Sequence, residues 1–198
     1  MQNDSGIPSR PDFVECLRTY ASWVPDGSII VEIGTNFGES TVALACGIHG
    51  TRSRIICIDP VFRSGTVAVH NGDNDEDATY NSNVQNFINR LTDRNLSHYV
   101  SVVSDFSHKF FPKWDLGEIA LIFIDGEHTF DGVMRDCQWL EHVASGGYAV
   151  FDDWMKPVQD AVDVYIQNKP WKMLHENTSP QDGDMIVTIL QKSQEGEV

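Results

Sequence analysis

Five short apolar runs in this sequence each lead into acidic side chains: Glu32 inside IIVEIG, Asp59 after IICI, Asp105 after SVVS, Asp125 after LIFI, and Asp152 with Asp153 after YAVF. Charge is costly where a chain leaves an apolar core, so acids repeated at such points ask for a ligand. Asp125, Asp152 and Asp153 would converge if the fourth and fifth runs were neighbouring strands. Hard divalent cations take oxygen ligands, and Mg2+ typically uses a few carboxylates while keeping exchangeable waters. Three such acids therefore suit Mg2+ rather than zinc. The competing reading is that Asp152 and Asp153 only open a polar loop and cap the next helix. His128 lies three residues beyond Asp125 in FIDGEHTFD, where an imidazole titrating near neutrality could accept a proton, ligate a metal or cap the helix that follows.

A second kind of chemistry is suggested by IIVEIGTNFGES, an apolar run that ends in a turn bearing Gly34 and Gly38. A strand entering a glycine turn at a helix N-terminus brings backbone close to a small charged ligand. The dinucleotide fingerprint needs glycine at the first, third and sixth turn positions, and Asn36 and Glu39 occupy two of these. A nicotinamide or flavin is thus disfavoured. Asp59 lies about 25 residues beyond the turn, where an acid can accept hydrogen bonds from both hydroxyls of a ribose or simply serve a turn.

The elements that must position these groups alternate. Strand-like runs are expected at 29–33, 54–58, 99–103, 120–124 and 148–151, with helical patterns between them. Phe13, Leu17, Tyr20 and Ala21 recur at helical spacing before Pro25-Asp26-Gly27. The clearest helix is expected over 129–144, ended by Gly146-Gly147, and another over 158–166. Two last runs, 171–175 and 185–190, could pair antiparallel at the sheet edge. The expected fold is α/β: a Rossmann-like, doubly wound, mostly parallel seven-stranded sheet with an antiparallel C-terminal edge strand, whose ligands lie at the carboxyl ends of the strands. Residues 60–81 read as one long polar loop, a probable lid, with Phe62, Tyr80 and Trp154 near the presumed pocket.

The chain of 198 residues has 29 acidic and 14 basic side chains, a formal charge of -15. Such a charge repels phosphate backbones and anionic membranes, so neither nucleic acid nor a membrane is an expected partner. One domain over residues 1–198 is expected, with an N-terminal leader and helix over 1–25. No export or spanning segment is read, which points to the cytoplasm, and a homodimer, the commonest soluble assembly, is open to it. Cys16, Cys46, Cys57 and Cys137 are scattered without a C-x-x-C pair and read as reduced core thiols.

Taken together, roughly residues 28–155 resemble the class I S-adenosylmethionine-dependent O-methyltransferases, especially the metal-dependent branch that includes catechol and macrolide sugar O-methyltransferases. IVEIGTNFGEST resembles the family's first motif, which implies that Glu32, Gly34, Asn36, Gly38 and Ser40 surround the methionine part of the cofactor and that Asp59 holds its ribose. SVVSDFS resembles the turn that contacts adenine, implying Ser104, Asp105 and Phe106. IFIDGEHTFDGVMRDCQWLEHVASGGYAVFDDW is similar to the family's acid, G-G and D-D signature, implying Asp125, Asp152 and Asp153 as metal ligands. The catechol enzymes have Asn at the position of Asp153 and a catalytic Lys at that of His128, so His128 or a metal-bound Asp125 is left as the base. The acceptor cannot be carried over from the fold; a hydroxyl of a small molecule, on a sugar-bearing natural product or a catechol-like diol, suits the metal geometry. A metal-independent methyltransferase and a non-catalytic cofactor-binding protein remain the alternatives.

Overall fold

A computed structural model describes residues 13–62, 76–176 and 187–194. Seven strands form one sheet: β1 (Ile29–Ile33), β2 (Arg54–Ile58), β3 (Val100–Val103), β4 (Ile119–Ile124), β5 (Val143–Phe151), β6 (Trp171–Glu176) and β7 (Thr188–Lys192). Their order is β3-β2-β1-β4-β5-β7-β6. The first five are parallel, whereas β7 runs antiparallel between β5 and β6. The C-terminal pair therefore closes the sheet edge as expected, with β7 on its inner side.

Register brings the rim together. Ile33 pairs with Ile58 and Ile124, Ile58 with Val103, and Ile124 with Phe151, so five strands end level. Residues 34, 59, 104, 125 and 152 follow as one row. Backbone hydrogen bonds carry the ladder into it, from Gly34 N to Ile58 O (3.1 Å), Asp125 N to Ile33 O (2.8 Å) and Asp152 N to Ile124 O (3.0 Å).

Alternation along the strands divides the core between the two sheet faces. Ile30, Ile55, Cys57, Leu121 and Phe123 face α1 (Phe13–Ser22), α2 (Glu39–Gly47) and α3 (Glu76–Thr92). Ile33, Ile58, Ile122 and Phe151 face α5 (Phe130–Asp136) and α6 (Lys156–Ile166), while α4 (Ser107–Phe110) follows β3. The four cysteines are unbridged, and three of them are buried. Among the described residues, no helix is long and apolar enough to cross a membrane.

Three sequence expectations change. The helix expected over 129–144 is α-helical only through Asp136, continues as a 3-10 segment over Cys137–His142, and gives way to β5 at Val143. Val143 is fully buried against Ile119, and the β4–β5 register shifts between Ile119 and Leu121, so strand pairing claims the residues assigned to the helix end. Within the expected loop, Pro60–Phe62 form a 3-10 turn and residues 76–81 open α3; only 63–75 lie outside the described residues. The spacing of Val84, Phe87, Ile88 and Leu91 extends that helix, and Phe87 and Leu91 anchor it. Trp154 is 2% exposed in the core, and Phe62 packs on Phe87, so neither lines the pocket.

Candidate active site

Turn chemistry at the end of β1 forms one wall of the site. Gly34 has φ +83, and a Cβ there would stand 1.9 Å from the Asp125 carbonyl oxygen. Only glycine lets the β1 turn lie against the β4 turn. Gly38 sits at the N-cap of α2, with Ser40 buried on its first turn. Asp59 holds this loop: its Oδ2 accepts from the backbone N–H groups of Thr35 (2.7 Å) and Asn36 (2.9 Å), and Oδ1 accepts from Val61 N (2.6 Å). The acid read as a ribose ligand is thus also the staple of the glycine turn.

Glu32 lies beneath the turn, fully buried. Its Oε2 accepts from Thr41 Oγ1 at 2.6 Å and Cys57 Sγ at 3.0 Å, while Oε1 has no donor within hydrogen-bond geometry among the described residues. Burial pushes its carboxyl from 4.5 to about 7, against the pull of the Ser40, Thr41 and Cys57 side chains.

At the ends of β4 and β5, His128 bridges two acids. Its Nε2 is 3.1 Å from Asp125 Oδ1, and its Nδ1 is 3.0 Å from Asp153 Oδ2. Asp153 has φ +48, a strained turn for a residue other than glycine. The Asp125 hydrogen bond holds the imidazole's pKa above its ordinary value despite partial burial. Burial raises the Asp125 carboxyl, opposed by His128. Asp152 is buried, its Oδ1 has no donor among the described residues, and desolvation plus Asp125 raise its carboxyl to about 7 against the pull of the Asp153 backbone N–H. An orphan carboxylate oxygen beside a second carboxylate fits a hard cation. Among the described residues, however, no three His, Cys, Asp or Glu side chains converge as a ligand set, and His128 stands between Asp125 and Asp153.

A cavity of about 420 Å³ opens beside these groups. Of the residues read from the sequence, it is lined by Gly34, Asn36, Asp59, Phe106, Asp125 and His128. Glu32, Gly38 and Ser40 lie behind its wall, and Asp152 and Asp153 lie off its lining. Ser104 and Asp105 are also off the lining; Asp105 accepts from Phe106 N (2.9 Å) and pairs with Lys113 (3.5 Å). The cavity adds residues that the motifs did not mark, among them Ser107, Gly126, Arg135 and Asp136.

A cavity between a glycine turn and a row of rim acids suits a nucleoside-bearing cofactor, and family comparison decides which. Residues 31–154 match the family model described as a methyltransferase domain. The chain belongs to this methyltransferase family. No curated protein matches the methyltransferase. Its fold is similar to that of the O-methyltransferase TomG from Streptomyces achromogenes, involved in tomaymycin synthesis and solved in complex with S-adenosylmethionine (15% identity, TM-score 0.67, covering 96% of this chain and 82% of that one). It is also similar to an O-methyltransferase from Bacillus cereus in complex with S-adenosylhomocysteine (15% identity, TM-score 0.63, 95% and 86% covered). A putative rRNA methylase from Clostridium thermocellum shares the fold as well (14% identity, TM-score 0.65, 94% and 100% covered). The protein is a methyltransferase.

The raised acids give the methyltransferase an unusual pH profile. Glu32 and Asp136 titrate at about 7 and about 6 in the fold, against 4.5 and 3.8 as free groups. The folded chain therefore binds more protons than the unfolded one across this window, and stability falls as pH rises through it, levelling above 7. Glu32 alone contributes about 2 kcal/mol between pH 5.5 and 8. That share alone makes the expected melting temperature roughly 5 °C higher at pH 5.5 than at pH 8, and Asp136 and Asp152, raised likewise, add to the difference. Glu32→Gln should flatten that slope in thermal melts, whereas an unchanged slope would show that Glu32 does not set it.

Proposed function

We propose that the enzyme transfers the methyl group to a hydroxyl of a small molecule, a sugar-bearing natural product or catechol-like diol, with Asp125, Asp152 and Asp153 holding a divalent cation, Mg2+ by its chemistry. The supporting observation is the buried Oδ1 of Asp152, which has no donor among the described residues, beside Asp125. A formal charge of -15 disfavours an RNA acceptor. A bound cation would supply Lewis acidity, lowering the pKa of the acceptor hydroxyl. His128 takes the proton at Nε2 once that nitrogen exchanges its 3.1 Å contact with Asp125 for the acceptor hydroxyl, while Asp153 at Nδ1 fixes its tautomer and ring orientation. Gly34, Asn36, Asp59 and Phe106 bind the cofactor from the cavity wall, with Glu32, Gly38 and Ser40 supporting the turn and Ser104 and Asp105 carrying the Phe106 loop. Transfer is an in-line displacement from sulfonium to oxygen, in which the protein supplies position and charge.

A metal-independent reaction on the same fold is the second reading, favoured by the His128 bridge itself: a protonated imidazole balances Asp125 and Asp153. Methyl transfer from labelled S-adenosylmethionine to a panel of catechols and glycosylated diols separates the two. The metal reading expects turnover to vanish with EDTA and to fall at least about 100-fold in Asp152→Asn, with S-adenosylhomocysteine binding unchanged. Full turnover in EDTA would overturn the metal proposal, and methylation at nitrogen or carbon would overturn the acceptor.

A further inference from the structure

Beside Phe106, the one motif residue of this wall, the cavity is lined by Ser107 from the loop after β3, Gly126 after β4, and Arg135 and Asp136 on α5. Asp136 is 4% exposed. The Ser107 hydroxyl donates to its Oδ1. Its Oδ2 has no hydrogen-bond donor among the described residues and lies against Gly126, where a Cβ would stand 2.6 Å away. Arg135 pairs through Nη2 with Glu127 at 2.6 Å and makes no hydrogen bond to Asp136 among the described residues, acting on it through charge alone. Burial raises the Asp136 carboxyl to about 6, opposed by Ser107, so near neutral pH it is an anion with one unsatisfied oxygen at the cavity wall.

The route of the cofactor selects what meets that oxygen. The reactive methyl must lie near His128, the methionine portion near the glycine turn and the ribose near Asp59, which leaves the base at the Phe106 and Ser107 end. Adenine presents an exocyclic amine, a pure donor on its edge, and a carboxylate is a pure acceptor. Asp105, the acid that family resemblance implies for adenine, is committed to Lys113 and Phe106 N and is off the lining. We infer that Asp136, oriented by Ser107, reads the cofactor base, its Oδ2 accepting from the adenine 6-amino group on the cavity side of Gly126, where any side chain would crowd that oxygen. This inference rests on the S-adenosylmethionine reading of the cavity.

A 6-oxo base would set acceptor against acceptor, so S-inosylhomocysteine tests the contact. Isothermal titration should show the wild-type chain binding S-adenosylhomocysteine on the order of 100-fold more tightly than the inosyl analogue. Asp136→Asn is isosteric and can turn its amide either way; it should weaken S-adenosylhomocysteine about tenfold and bring the preference below about tenfold. Ser107→Ala keeps the acid but releases it, and should lower the preference by about threefold or more. Folded Asp136→Asn with native affinity and native preference overturns the proposal. If circular dichroism shows that this variant does not fold, an unchanged preference in Ser107→Ala overturns it instead. A wild-type chain that binds neither ligand overturns the cofactor reading itself, whereas one that binds adenosyl and inosyl ligands equally overturns only the role of Asp136.

Discussion

Gly34→Ala should cost the protein about 3 kcal/mol or more and abolish measurable cofactor binding. Two effects add. The residue sits at φ +83, where any L side chain is strained by roughly 1 kcal/mol. Steric overlap costs more: the new methyl would lie 1.9 Å from the Asp125 carbonyl oxygen and 2.6 Å from its carbonyl carbon, both backbone atoms fixed by the β1–β4 ladder. No rotamer relieves that overlap, so the glycine turn or the Asp125 turn must move. Either shift alters the cavity wall, because Gly34, Asn36 and Asp125 all line it. Thermal melts and S-adenosylhomocysteine titration read the two consequences separately. A variant with native melting temperature and affinity would show that the β1 and β4 turns are not in contact as described.

Asp59→Ala should be nearly as damaging for a different reason. Three backbone N–H groups, of Thr35, Asn36 and Val61, donate to this one carboxylate. Truncation strands them in a mostly buried site, at about 1–3 kcal/mol for each that water does not reach. A loss of about 3 kcal/mol in stability and at least about 100-fold in cofactor affinity is expected. Asp59→Asn separates the roles: its single amide oxygen can keep one set of backbone donors, so stability should recover more than affinity. Equal recovery of both would mean that the acid acts on the cofactor only through the turn.

Much of this was legible in the sequence because strand ends and chemistry coincide. Apolar runs fixed by period and length put Asp59, Asp125 and Asp152 at level strand ends, and in-register parallel pairing did the rest. What the pattern did not reveal was orientation. Nothing in IDP distinguishes a carboxylate aimed at ribose from one collecting three backbone amides, and nothing in DGEHTF announces that His128 will span Asp125 and Asp153. Asp136 left a faint signal: it lies three residues after Val133 and four before Leu140, on the apolar stripe of the helical segment, where an acid must find a partner. The helix end was misplaced because Val143 and Ala144 fit an apolar helical face as well as a strand, and only their pairing with β4 decides between them.

The claim that the acids after β4 and β5 hold a cation beside the cofactor cavity is tested most directly by titrating Mn2+, a paramagnetic substitute for Mg2+, into the protein saturated with S-adenosylhomocysteine and following free Mn2+ by electron paramagnetic resonance. The expected result is one bound ion per chain, competed by Mg2+ and lost in Asp152→Asn without change in S-adenosylhomocysteine affinity. A chain that binds no Mn2+, or binds it equally well in Asp152→Asn, would contradict a cation site at these acids.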